Sequence, residues 1–380
     1  MISCKPCNGC YDGPIIMLTG KIKVLVADDS PVMRTLLVEL LNGAPDFEVI
    51  GAVGDGQTAI DFLERANGRP DVLLVDIHMP DLDGFEVTRR IMETRPLPII
   101  ICTATSDPRE LAITFRSMEA GAVACLEKPV ALGPDFEDRK RNLLQTLRLM
   151  AEVKVVRRWS RQRNPHMTAS PERDPVFRAP AAPAIRFVGI GASTGGPPVL
   201  QTILSSLPRD FPVPLLIVQH IAPGFLSGMV EWLNETTGLR VHIAAHGTTP
   251  LPGHAYVAPD DFHLAADAGG RLLLAREAPE AGLRPSVSYL FRSLANTCGP
   301  SAIGVLLTGM GKDGAAELKE MRDRGACTIA QDRETSVVHG MPGEAIERDA
   351  ATLVLPADRI AGALIAHVAL GAAQHGRVKP

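Results

Sequence analysis

Apolar residues along this chain fall into two patterns that alternate, and the alternation occurs in two blocks. In the first block, Ile22–Ala27, Val72–Val75 and Ile99–Thr103 are short, β-branched and almost wholly apolar. Strands covered on both faces of a parallel sheet read this way. Between them the spacing becomes helical. Ser30-Pro31 supplies an N-cap with proline in the first turn, and Met33, Leu36, Leu37, Leu40 and Leu41 follow on one face. The second block resumes with Phe187–Ile190, Leu215–Val218 and Ile303–Leu307, again with helical segments between. His263–Ala275, centred on Ala268-Gly269-Gly270, reads as a hairpin added to that sheet. The alternation predicts an α/β chain of two domains, each a doubly wound, mainly parallel sheet.

The expected boundaries are a leader over 1–19, a first domain over 20–135, a connection over 136–184 and a second domain over 185–380. The connection starts as a helix through Leu143, Leu147 and Met150 and turns basic at Arg157, Arg158, Arg161 and Arg163. Pro165, Pro171, Pro175, Pro180 and Pro183 then make it a semi-extended linker. A net charge of −4 over 380 residues argues against nucleic acid or an anionic membrane as the main partner. The longest apolar run, Ile360–Ala373, is interrupted by His367 and reads as an amphipathic helix, so no direct membrane insertion is expected. Cys102, Cys125, Cys298 and Cys327 sit in apolar stretches as reduced thiols, and no secretion signal is seen, so a cytoplasmic location is expected. Cys4, Cys7 and Cys10 form a CxxCxxC run, but structural zinc normally takes four ligands, and the run reads as part of an unstructured leader.

Chemistry is expected at the carboxyl ends of the strands, where open parallel sheets bind ligands. Asp28 and Asp29 end the first strand and Asp76 a later one. Carboxylates that converge repel each other unless a cation or proton lies among them, and Mg²⁺ suits such a set. Thr103 and Lys128 end two further strands, where a hydroxyl and an ammonium could bind an oxyanion attached to Asp76. Helix capping could explain one of these aspartates, but not acids ending two buried strands with Thr and Lys ending two more.

In the second block, Gly191-Ala192-Ser193-Thr194-Gly195 matches the G-x-S-x-G turn that exposes a serine hydroxyl. His220 follows the second strand, and Asp313 follows the Ile303–Leu307 strand within a glycine-rich loop. Nucleophile, base and orienting acid are thus delivered to one sheet edge. Each residue singly has a structural alternative: an anion-binding turn, a core histidine, a helix cap. The loop also matches a dinucleotide fingerprint at Gly309, Gly311 and Gly314, with Asp332 downstream, but Asp313 would put a carboxylate where a pyrophosphate must sit. The order Ser193, His220, Asp313 differs from the Ser, acid, His order of ordinary α/β-hydrolases.

Two resemblances follow from these words. Asp28-Asp29-Ser30, Asp76 through Gly84, Thr103-Ala104 and Lys128-Pro129 resemble the response-regulator receiver domain, which implies a flavodoxin-like fold over about 20–135. The resemblance implies that Asp76 is the phospho-acceptor and that Asp29, Asp76 and the His78 carbonyl hold Mg²⁺, with Asp28 assisting through water. Lys128 and Thr103 would then bind the phosphoryl oxygens. Receivers usually carry an aromatic residue three positions before the Lys-Pro, where this chain has Cys125, so the aromatic rotamer switch cannot operate as such. The second block, through Gly-Ala-Ser-Thr-Gly-Gly, Gln219-His220, Leu251–Tyr256, Arg284-Pro285-Ser286-Val287, Leu307–Gly314, Thr328–Gln331 and Gly340-Met341-Pro342, resembles the catalytic domain of protein-glutamate methylesterases. Some members carry His where this chain has Leu283. This implies a Rossmann-like serine hydrolase with no cofactor of its own. Implied partners are methyl-accepting chemoreceptors as substrate and a chemotaxis-type histidine kinase as phosphodonor. Amides of Gly309, Met310 and Gly311 are the expected oxyanion-hole donors. The alternative function is a response regulator whose second domain only binds a partner, which leaves Ser193, His220 and Asp313 without a task.

Overall fold

The computed structural model describes residues 20–65, 69–103, 108–130, 133, 136–153 and 184–375. The expected leader with Cys4, Cys7 and Cys10, and the Pro- and Arg-containing part of the connection, lie outside the described residues.

The first domain alternates β1 (Ile22–Ala27), α1 (Pro31–Asn42), β2 (Phe47–Val53), α2 (Gly56–Arg65), β3 (Val72–Val75), α3 (Gly84–Thr94), β4 (Ile99–Thr103), α4 (Pro108–Ala120), β5 (Ala124–Glu127) and α5 (Phe136–Ala151). Its five parallel strands run β2-β1-β3-β4-β5, the flavodoxin-like order. Ser30 caps α1 by accepting from Met33 N, with Pro31 in the first turn, as the pattern predicts. The expected boundary at 135 falls short: Leu143, Leu147 and Met150 on α5 are buried against Val24, Leu74 and Ile100, so α5 is part of this domain's core. An apolar face at helical spacing has to be covered by something, and here the nearest sheet covers it.

The second domain contains β6 (Phe187–Ala192), α6 (Gly196–Ser206), β7 (Leu215–Gln219), α7 (Leu226–Thr236), β8 (Arg240–Ile243), β9 (His254–Val257), β10 (His263–Ala266), β11 (Leu272–Ala275), α8 (Val287–Thr297), β12 (Ala302–Leu306), α9 (Ala315–Asp323), β13 (Cys327–Gln331), α10 (Met341–Glu347), β14 (Leu353–Leu355) and α11 (Ala357–His375). Seven parallel strands run β14-β13-β12-β6-β7-β9-β8. The strand order reverses between β6 and β12, a topological switch point where doubly wound sheets open a crevice. The β10–β11 hairpin forms with Ala266 opposite Leu272, as a separate two-stranded sheet against α8 rather than an extension of the main one. Among the described residues no helix is long and apolar enough to cross a membrane.

The domains meet through α4 and α7. Phe115 stacks on the fully buried Trp232 with ring centroids 5.6 Å apart. Gln201 Nε2 donates to Glu119 Oε1 at 2.8 Å, and Arg116 pairs with Glu235 at 3.4 Å.

Gly84 opens α3 directly beneath the Asp76 main chain, where an added Cβ would lie 2.4 Å from Asp76 O. Gly84→Ala should therefore lower the urea midpoint of the first domain by an amount equivalent to about 1–3 kcal/mol. Gly362→Ala, in α11 where an added Cβ meets nothing within 4 Å, should leave the melting curve unchanged or raise it slightly.

Candidate functional site

Parallel register builds both sites. In the first sheet Ala27 pairs with Val75, and Asp76 N donates to Ala27 O at 2.8 Å, so Asp28 and Asp76 emerge side by side one residue past the paired positions. Thr103 pairs with Glu127, and Lys128 N donates to Thr103 O at 2.9 Å, which brings the Lys128 side chain to the same edge. The Lys128 ammonium lies 2.8 Å from Asp28 Oδ2 and 2.7 Å from Asp76 Oδ2. Oxygens of Asp28, Asp29 and Asp76 all lie within 4.8 Å of one another; Asp29 is exposed and the other two are buried. Burial raises the Asp76 carboxyl above its usual value, and the Lys128 contact only partly offsets this. Burial alone would lower the Lys128 ammonium, but the hydrogen bonds and charges of Asp28 and Asp76 outweigh it and hold the group up. Thr103 is fully buried, and the His78 N–H donates to the Asp76 carboxylate.

In the second sheet Ala192 pairs with Gln219, so Ser193 and His220 are each the next residue along. His220 N donates to Ala192 O at 2.9 Å, and Ser193 N donates to Thr308 O at 3.0 Å. The Ser193 turn is thereby tied to its neighbours on both sides. Strands β6 and β7 extend to Ala192 and Gln219, beyond the apolar runs that mark them in the sequence. His220 Nε2 bonds Asp313 Oδ2 at 2.9 Å, with both side chains largely buried. Asp313 Oδ2 also accepts from Val287 N at 2.7 Å. Its Oδ1 accepts from Ser286 Oγ at 2.9 Å and Ser288 N at 3.0 Å. Burial works to raise this carboxyl, but the hydrogen bond and charge of His220, with the Ser288 donors, outweigh it and bring it to about 2. The carboxylate is an anion with two donors on each oxygen.

Three residues that the resemblance names without a role turn out to support the site. Gln219 is buried, and its Nε2 donates to both Ser193 O and His220 O at 2.8 Å, clamping the serine turn to the histidine strand. Gln331, also buried, accepts from Thr308 N at 2.8 Å, and Thr308 Oγ1 reaches Thr194 O at 3.0 Å. Ser286 and the first turn of α8 hold Asp313 from a segment 25 to 27 residues earlier. The available signal was an apolar strand ending in a polar side chain, as at Gln219 and Gln331, and a serine opening a helix at Ser286.

The expected oxyanion donors are corrected in part. The Gly309 N–H donates to Val338 O at 2.9 Å and is not available to a substrate. Gly309 is glycine for space: a Cβ there would lie 2.7 Å from Ser193 Cβ and 2.4 Å from Met341 Sδ. Among the described residues the Met310 and Gly311 amides have no acceptor. The dinucleotide alternative does not survive, because Asp313 points from the same loop into the start of α8.

Ser193 and His220 open onto a cavity of about 640 Å³ between the domains, whose other wall includes Glu127, Arg139, Asn142 and Thr146 of β5 and α5. Gln145 on α5 reaches Met310 Sδ at 3.7 Å. Cys125 also lines this cavity.

Residues 24–134 match the response regulator receiver domain model, and residues 188–364 match the CheB methylesterase model. A protein-glutamate methylesterase/protein-glutamine glutaminase of Nitrosospira multiformis is 52% identical over 344 residues, covering 90% of this chain and 96% of that protein. A protein of the same description from Geobacter metallireducens is 53% identical over 345 residues, covering 90% and 98%. The crystal structure of the Thermotoga maritima CheB methylesterase catalytic domain is 40% identical with a TM-score of 0.47, covering 48% of this chain and 98% of that one. With full-length relatives at this identity and both domain models matched in order, the chain belongs to the protein-glutamate methylesterase/protein-glutamine glutaminase family.

Proposed function

We propose that the chain is a phosphorylation-regulated ester hydrolase that demethylates glutamate methyl esters on chemoreceptors, releasing methanol, and deamidates specific receptor glutamines. The observation that carries this reading is the His220–Asp313 hydrogen bond formed beside the Ser193 turn at the switch point of the second sheet. Ser193 Oγ attacks the ester carbonyl while His220 takes its proton. Asp313 holds Nε2, so Nδ1 is the ring nitrogen that faces this task. The developing oxyanion is met by the amides of Met310 and Gly311. His220 then returns its proton to the departing methoxide, and water releases glutamate from the acyl-enzyme by the reverse path. A glutamine side chain loses ammonia by the same steps. The esterase chemistry calls on no cofactor.

In the first domain Asp76 takes a phosphoryl group from a chemotaxis-type histidine kinase. Asp28, Asp29, Asp76 and the His78 carbonyl would hold Mg²⁺, and the convergence of three carboxylates is a donor set of the hard-oxygen kind that this ion takes. When bound, the ion supplies charge neutralisation for the transfer. Thr103 and Lys128 bind the phosphoryl oxygens, drawing Lys128 from its contacts with Asp28 and shifting the β5–α5 wall of the cavity. Unphosphorylated, that wall covers Ser193 and His220. A cytoplasmic location goes with such a substrate and phosphodonor, and free thiols at Cys102, Cys125, Cys298 and Cys327 are consistent with it.

Ser193→Ala should abolish methanol release with the fold intact; residual activity within about tenfold of the parent would refute the nucleophile, because losing such a residue costs about 10⁴ or more. His220→Gln and Asp313→Asn should each inactivate and add little to Ser193→Ala, whereas fully multiplicative losses would argue against a triad. A small phosphodonor should raise the activity of the full chain, and Asp76→Asn should not respond. Chelating divalent cations should remove that response while leaving the basal hydrolysis rate unchanged. Residues 185–380 alone should hydrolyse faster than the unphosphorylated chain; equal rates would mean that the first domain does not gate the second.

A further inference from the structure

The first turn of α8 contains none of the reacting groups, yet it supplies three of the four hydrogen bonds on Asp313. Two come from backbone amides, and the third is the Ser286 hydroxyl. We propose that Ser286 is a positioning residue of the esterase, whose hydroxyl fixes Asp313 Oδ1 so that Oδ2 stays aimed at His220 Nε2. The inference rests on the triad reading given above.

Ser286 looks at first like an ordinary helix cap, since its Oγ accepts from Tyr289 N. That contact is long, at 3.4 Å, whereas the bond to Asp313 is 2.9 Å. A hydroxyl has one proton to give, and the competing acceptor, Glu280 Oε2, lies 3.4 Å away and already pairs with Arg292. The proton therefore goes to Asp313, in a charge-assisted bond of the stronger class. Ser286 is itself held. It is fully buried, and its N–H donates to His263 Nδ1 at 3.3 Å. The His263 ring stacks on Tyr289 with centroids 4.5 Å apart and donates from Nε2 to Ala278 O at 3.2 Å. The hydroxyl thus reaches Asp313 from a rigid mount.

Without that hydroxyl, Oδ1 is left to Ser288 alone, and the carboxylate can turn further about its Cβ–Cγ bond than when all four bonds hold it. The imidazole then loses its fixed orientation at the step where it moves a proton. Substrate binding does not depend on that orientation, so the loss should fall on kcat.

The test measures methanol release from a glutamyl methyl-ester receptor fragment by the full chain, with melting temperatures taken for every variant. Ser286→Ala should lower kcat about 10- to 100-fold with KM within about twofold, the effect of one charged hydrogen bond. Ser286→Asp keeps a good cap acceptor but sets an anion against Asp313, and should lower kcat at least as far. Ser286→Thr keeps the hydroxyl and should recover most of the loss. A simple cap would behave the opposite way, with Asp as good as Ser. Parent-like kcat in Ser286→Asp or Ser286→Ala, or failure of Thr to outperform Ala at equal melting temperature, overturns the proposal. An active Ser193→Ala protein would instead overturn the triad reading, and this inference with it.

Discussion

A strand covered by helices on both faces leaves no room for an unpaired charge, because a buried ion without partners costs far more than a fold can spare. Both sheets obey this constraint along their length: β1, β3, β4, β6, β7 and β12 are almost entirely buried and nearly all apolar. Polar side chains appear where the pairing stops. Parallel register then decides which of them meet, since neighbouring strands end in step. Asp28 beside Asp76, and Ser193 between His220 and Thr308, are direct consequences of Ala27 pairing with Val75, Ala192 with Gln219 and Gly191 with Leu306.

Two buried aspartates show how the same residue acquires opposite character from its surroundings. Asp313 meets four donors and stays ionised down to about 2. Asp76 is raised by burial and shares Lys128 with the neighbouring Asp28 charge. The first arrangement suits a fixed anion that orients a base. The second leaves a carboxylate whose electrostatic needs are only partly met by the protein, as suits a group proposed to take a phosphoryl group and a cation.

The contact between domains joins these two edges. The apolar anchor is the Phe115–Trp232 stack, whose Phe115 also lines the cavity holding Ser193, while the side chains facing that cavity from α5 are polar. Cys125 stands on this wall in place of the aromatic residue usual in receivers. Arg139 spans the same stretch, bonding Glu127 at 2.7 Å and the Lys128 carbonyl at 3.3 Å, and so links the carboxylate edge to the cavity.

Hydrophobic periodicity alone determined the two-domain α/β class, the buried strands and the carboxylate edge, because burial on two faces leaves an unmistakable run such as Val72–Val75. Together with the G-x-S-x-G turn and the glycine-rich loop, it singled out Ser193, His220 and Asp313 as candidates, each of which directly follows or closely trails such a run. Tertiary structure decided what depends on partners distant in the chain. It assigned α5 to the first domain, because a helical apolar face does not say which sheet will cover it. It took Gly309 from the oxyanion donors by pairing it with Val338, and gave its missing side chain a steric reason at Ser193. It also brought Gln219, Gln331 and Ser286 into the site through hydrogen bonds to segments far along the chain. A hydrogen bond needs two groups within about 3 Å, and spacing in a sequence reports only one of them.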